Sequence, residues 1–247
     1  PVDDPKVTGA YGEWKDYNAY SDFISSEGVP VFYARVDHVS VPLAKEGTGQ
    51  VVVDFTPEPL TQDVSFVFHI EKTADVVVDS LTAEISGIPS TMELTTGLIL
   101  AQKTYKLLFR PTYAALPSAA DSASAEALRC EASVNIPGIV RSHTEDMVTG
   151  PGILQIAIYT HYDYEEEGTQ RKAAKVFHAG INLYHTLKER KSLQWDEEEN
   201  GYRQASRSIT VEIGSPLNID KDGILNGGST STGLDQWIPG ETFEIEV

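Results

Sequence analysis

The 247 residues include one cysteine, Cys130, two methionines, three tryptophans and only 19 basic residues against 37 acidic ones. Each shortage excludes something. A lone thiol makes no intramolecular disulfide and no multi-thiolate zinc or iron–sulfur centre. The deficit of lysine and arginine leaves a formal charge of -18. That removes the counterion-displacing groups on which nucleic-acid affinity depends, so no nucleic-acid partner is expected. The same charge repels anionic headgroups, and membrane attachment would need a covalent lipid rather than a basic patch. No apolar run approaches the roughly 20 residues that cross a bilayer, and no signal-like hydrophobic region opens the chain. The opening PVDDP, without methionine, reads as a mature or trimmed start.

Sustained helical periodicity is missing too; what the chain has instead is alternation. In DVSFVFHIEK, Val64, Phe66, Phe68 and Ile70 oppose Ser65, Val67, His69 and Glu71. A period of two places one set on a dry face and the other toward water, the pattern of a half-buried antiparallel strand. VPVFYARVDHVSV (Val29–Val41) reads as the first strand, and VVVDF alternates through Val51, Val53 and Phe55. SLTAEISGIPSTMELTTG turns Leu81, Ala83 and Ile85 inward, and Gly87 and Pro89 are expected to end that strand. Further strands are carried by Tyr105, Leu107 and Phe109, by Leu154, Ile156 and Ile158, and by Phe177, Ala179, Ile181 and Leu183. Ile209, Val211 and Ile213, and finally Phe243, Ile245 and Val247, supply the last two. Leu128, Cys130, Ala132, Val134 and Ile136 share one strand face, which makes Cys130 a small core hydrophobe. Only LKERKSLQW, Leu187–Trp195, suggests a helical turn. The acidic DYEEEGTQ and WDEEENGY read as solvated hairpin tips.

Many short strands with regular turn signals predict an all-β protein, most economically two tandem antiparallel β-sandwich domains. The alanine- and serine-rich ALPSAADSASAEAL has no broad apolar face to dock and reads as a linker. The expected division is a tether over residues 1–28, one sandwich over 29–114, a linker over 115–127 and a second sandwich over 128–247.

Motifs for chemistry are scarce. No phosphate-binding glycine loop, nucleophile elbow or HExxH pair occurs. His178 and His185, seven apart, would face opposite sides of a single strand and could not share a metal. SHTED, Ser142–Asp146, holds serine, histidine and acid, but adjacency in sequence is not triad geometry. NIDKDGILNGGS, Asn218–Ser229, places Asn218, Asp220, Asp222, Gly223 and Asn226 as a calcium loop does. Ser229 stands where that loop needs a bidentate glutamate, and no helix enters it, so an Asp-Gly turn is the better reading. Trp14, Trp195, Trp237 and the tyrosines of YTHYDY could stack on sugar rings or equally plug the ends of a sandwich. A hydrolase would need two carboxylates roughly 5–10 Å apart across a cleft. No residue is assigned as catalytic, cofactor-binding or metal-binding, and no cofactor is expected.

The stretch VSFVFHIEKTADVVVDSLTAEISGIPSTMELTTG, supported by VNIPGIV, GILQIAIYTH and LDQWIPGETFEIEV, resembles the fimbrillin-A-associated anchor and accessory proteins of Bacteroides-type bacteria. The likeness runs from about Val31 onward. It implies two transthyretin-like sandwiches, export as a lipoprotein through a lipobox cysteine, and display at the outer membrane. That cysteine is absent from this sequence, so membrane attachment would come through an N-terminal lipid outside it. The implied role is noncatalytic: fimbria assembly, anchoring or adhesion, with fimbrial subunits as partners through strand addition at a sheet edge. TFEIEV at the C-terminus is either a strand to donate or the last strand of its own sheet. The alternative is a surface glycan-binding module using exposed tryptophan and tyrosine.

Overall fold

A computed structural model describes residues 23–25, 32–34, 36, 38–39, 52–92, 99–116, 125–139, 151–190, 194–196, 201–203, 208–225 and 237–245. Its elements in chain order are β1 (Phe23–Ser25), β2 (Phe32–Tyr33), β3 (Glu58–Pro59), β4 (Gln62–Thr73), β5 (Val76–Met92), β6 (Ile99–Phe109), β7 (Thr112–Ala115) and β8 (Ala125–Ile136). There follow β9 (Ile153–Glu166), β10 (Thr169–Asn182), α1 (Tyr184–Glu189), β11 (Gln194–Asp196), β12 (Gly201–Arg203), β13 (Ser208–Glu212), β14 (Leu217–Ile219) and β15 (Ile238–Ile245).

The protein is an all-β sandwich. The large sheet has eight strands in the order β11-β12-β6-β5-β9-β10-β15, with β1 beside β6. A five-stranded sheet runs β13-β4-β8-β7, with β14 also beside β4, and β2 and β3 form a small separate pair. Most neighbours are antiparallel; β13 and β14 run parallel to β4, and β1 runs parallel to β6.

Alternation decides which side is dry. On β4 the buried set is Val64, Phe66, Phe68 and Ile70; on β8 it is Leu128, Cys130, Val134 and Ile136. Leu81, Ala83 and Ile85 of β5, Leu154, Ile156 and Ile158 of β9, and Phe177, Ala179 and Ile181 of β10 face them from the large sheet. All belong to one continuous hydrophobic cluster. Phe66 stacks on Phe109 across the two layers, with centroids 5.6 Å apart and planes 15° from parallel. Burying a side chain of that size contributes about 1.5–3 kcal/mol, so one aromatic pair is a sizeable part of the adhesion between layers. At one end of the layers the buried ammonium of Lys175 donates to the Lys221 carbonyl at 2.8 Å and lies 5.5 Å from the centre of the Tyr162 ring.

The strands are shared differently from two sandwiches in series. β5, from the first half, pairs with β9, from the second, over Val76–Ile85. β4 likewise pairs with β8, β13 and β14. The segment expected to link two domains instead joins β7 to β8 within one sheet, where Ala115 opposes Leu128 and the Leu116 amide donates to Ala127 at 2.8 Å. Residues 117–124 lie outside the described residues, as does most of the expected tether. The physical reason is edge pairing: strands from both halves satisfy one another's backbone groups, and neither half presents a closed sheet of its own.

Local expectations meet several corrections. Gly87 and Pro89 do not end β5. The strand continues to Met92 through a register shift between Ile85 and Ile88, with Gly87 at a φ of 85° and Pro89 opposite Thr104. A bulge at Ser86 and Gly87 absorbs the glycine, and a second register shift falls between Pro89 and Thr91. Val29–Val41 yields only Phe32–Tyr33 as strand among its described residues, and in VVVDF the described Val52 and Phe55 are non-strand and exposed. Residues 52–55 alternate in sequence yet belong to no strand, since β-propensity alone does not supply a pairing edge. The helix lies earlier than expected. It starts where the Asn182 side-chain oxygen accepts the Tyr184 amide at 2.9 Å, buries Leu187, and leaves Trp195 in β11. DYEEEGTQ is a two-residue hairpin, with Glu167 and Gly168 both at positive φ between the paired Glu166 and Thr169. Such a turn matches the twist of the flanking strands.

Candidate functional site

The outer face of the large sheet carries an open depression of about 450 Å³ where β9, β10 and β15 run side by side. Gln155, His178, Gly180, Ile238, Gly240 and Phe243 line it. Alternation explains the first three. Leu154 and Ile156 point into the core, so Gln155 faces out; Phe177, Ala179 and Ile181 point in, so His178 and Gly180 face out. Gly180 lies opposite Gln155 and, on its other side, opposite Ile238. With no side chain there, the middle of the depression is left low.

The third strand brings in the aromatic ring. β15 pairs with β10 antiparallel, but the partner shifts from Thr242 at Phe177 to Pro239 at Ala179. β15 therefore carries one extra residue opposite His178, a bulge that re-aims the side chains beyond it. Proline and glycine suit this position, since an edge strand tolerates a missing amide and a bulge tolerates a missing side chain. Gly240 is needed for closeness: a Cβ there would stand 3.0 Å from the His178 Cβ. The approach sets the His178 ring edge-on to Phe243, with centroids 5.5 Å apart and an interplanar angle of 83°. Phe243 is 50% exposed and Ile238 42%. Apart from His178, none of these lining side chains ionises. Among the described residues the site thus joins an apolar floor and ring to an amide and an imidazole, with no lysine, arginine or carboxylate.

Of the described residues singled out in the sequence for chemistry, His178 alone lines the depression. Cys130 is buried in the core, and desolvation pushes its thiol up from 9.0 to about 12, which makes it a poor nucleophile. His178 lies on β10, whereas His185 lies on α1 and sits 3.0 Å from Glu189, so the two do not share a strand. His161 instead meets Asp79, its Nδ1 2.8 Å and 2.9 Å from the two carboxylate oxygens. Ser142–Asp146 lies outside the described residues. Within Asn218–Ser229 the Asp220 Oδ1 accepts the amides of Asp222 at 2.7 Å and Gly223 at 2.8 Å, and Asp220 donates its own amide to the Gly223 carbonyl at 2.9 Å. That is a side-chain-closed turn; Asn226 and Ser229 lie outside the described residues. Among the described residues no three His, Cys, Asp or Glu side chains gather as metal ligands would.

The aromatic platform expected of the glycan-binding alternative is corrected at Trp237. That indole is 4% exposed, donates to the Ser215 carbonyl at 3.0 Å and meets Phe68 edge-on at 5.7 Å. It plugs the core because only there can its ring be dry while its N–H stays bonded. Trp14 lies outside the described residues, and of Trp195 only the backbone in β11 is described. Tyr162 and Tyr164 stand with centroids 6.3 Å apart, away from the depression. Sequence reasoning missed Phe243 as part of a site and treated it as a strand residue; the available signal was Pro239-Gly240 inside an otherwise alternating terminal strand.

No protein-family model matches the sequence, and no curated protein matches it. A search of solved structures finds the crystal structure of a "putative adhesin" from Bacteroides ovatus, at a TM-score of 0.40 and 10% identity over 85% of this chain. The chain spans 64% of that structure's length.

Proposed function

We propose that this chain is a noncatalytic cell-surface protein that works by holding partners, as an adhesin or a fimbria-associated subunit does. One observation carries the reading. β15 has a single neighbour, β10, among the described residues, and it presents Ile238 and Phe243 to solvent. An edge of that kind offers amides and carbonyls to a strand from another subunit. The terminal strand is thereby an acceptor edge as well as the last strand of its own sheet. Burial also leaves the one thiol a poor nucleophile. In this reading an N-terminal lipid outside the present sequence holds the sandwich at the outer membrane, and fimbrial subunits add their strands to it.

The test is antibody labelling of intact cells together with co-purification of fimbrial subunits made from the same operon. Labelling without permeabilisation and recovery of a subunit are the expected results. A pool reached only after lysis refutes the surface reading, and failure to recover any subunit refutes the assembly role.

A further inference from the structure

The depression on the outer face of the large sheet combines features that suit one ligand class. Its aromatic ring is half exposed. Its two polar side chains, Gln155 and His178, have no hydrogen-bond partner among the described residues, although both line the space. A carboxamide and a neutral imidazole each both donate and accept. Arginine, lysine and carboxylate are absent from the described lining. A volume near 450 Å³ lies within the roughly 300–1,000 Å³ usual for small-molecule clefts.

A phosphate or carboxylate ligand would find no lysine or arginine among the described lining residues, and it would approach a chain of formal charge -18. An ammonium ligand would find no carboxylate among the described lining residues. A purely apolar ligand would strand the Gln155 amide and the His178 ring without water or partner, which costs about 1–3 kcal/mol for each group left unsatisfied. A neutral sugar has what the site lacks. One face of a pyranose presents C–H groups that lie against an aromatic ring, and its rim carries hydroxyls that donate and accept together. Gly180, between Gln155 and Ile238, leaves room for such a ring to sit close to the sheet.

We infer that the depression bounded by Gln155, His178, Gly180 and Phe243 is a binding site for an uncharged hexose at the end or side of a glycan. The hexose stacks on Phe243, and its hydroxyls bond the Gln155 amide and a His178 ring nitrogen. This rests on the reading of a surface-binding protein and names what the surface binds.

The experiment uses the purified full chain on an array of neutral and sialylated oligosaccharides, followed by saturation-transfer NMR with the free form of the best neutral binder. Neutral, hexose-terminated glycans are the expected binders, and sialylated ones are expected to bind less. Phe243→Ala should weaken affinity roughly tenfold, about what one stacking contact is worth. Gly180→Val should abolish binding while the chain stays folded, because a Cβ there meets only Gln155 Cγ at 3.7 Å and the Leu154 carbonyl at 3.9 Å. Should the valine variant unfold, Gly180→Ala and Gln155→Ala provide the same test. An array without neutral binders overturns the inference, as does a preference for acidic glycans or binding that Phe243→Ala and the position-180 variants leave unchanged. A chain that labels on intact cells yet binds no sugar loses this site and keeps its surface role. One that binds sugar but labels only after lysis does the reverse.

Discussion

Gly87→Ala is the sharpest perturbation the fold offers. Gly87 sits at a φ of 85°, and a Cβ built on it would lie 2.3 Å from the Pro151 Cβ, 2.8 Å from the Pro151 Cα and 3.2 Å from Ile139 Cγ2. Two penalties apply. An L-residue forced into the left-handed region costs about 1–2 kcal/mol, and an added methyl in a packed site costs about 1–3 kcal/mol more. The corner has little freedom to yield, since Ser86 accepts the Gly152 amide at 3.0 Å through its carbonyl and the Ile153 amide at 2.9 Å through its hydroxyl. A total of about 2–5 kcal/mol would be a large part of the 5–15 kcal/mol typical of a folded domain. Urea unfolding at unchanged m-value measures it. In a Pro151→Gly background the steric part should shrink by about 1 kcal/mol or more, while the backbone part stays. Gly214→Ala, whose added Cβ would meet nothing within 4 Å, should shift stability by less than about 0.5 kcal/mol. A Gly87→Ala cost as small as that of Gly214→Ala, in both backgrounds, would refute the argument from close approach.

Trp237→Ala removes the edge contact with Phe68 and the bond to Ser215, and should cost about 3–5 kcal/mol in the same unfolding assay. The Cys130 pKa is raised in the folded chain, so its contribution to stability is complete below the 9.0 of an unburied thiol and falls as pH rises toward about 12. Urea midpoints in that alkaline window should therefore drop less steeply for Cys130→Ala than for the parent. Tyr113→Phe loses a hydroxyl that donates to the Val78 carbonyl at 2.8 Å and should cost about 0.5–1.5 kcal/mol. Asp220→Ala should cost about 1 kcal/mol by freeing two turn amides, and a calcium chelator should leave the melting temperature of the parent unchanged.

Strand existence and facing were legible wherever alternation was strong. Val64 through Ile70 declares both the strand and its dry side, because side-chain direction in a strand is a local property. Leu81, Ala83 and Ile85 did the same, and Cys130 could be placed in the core from its neighbours two residues away on either side. Pairing was not legible. Nothing local in Val76–Ile85 says that its partner is Leu154–Tyr162, or that Ser208–Glu212 lies parallel to β4. Those choices follow from which unsatisfied edge each strand finds, and this is also why an alanine- and serine-rich hairpin connection resembled a domain linker. VVVDF shows the converse, since its described residues 52–55 have a strand-like pattern and are not strand. The depression was half visible: alternation turns Gln155, His178 and Gly180 outward, but placing Phe243 beside His178 requires the bulge at Gly240, a matter of register between two strands.

The parallel seating of β13 and β14 against β4 has a consequence for how the polypeptide is made. A strand formed early must wait, one flank bare, until segments made much later arrive to cover it. The sheet locks into shape late and slowly, because its closures join points far apart along the thread.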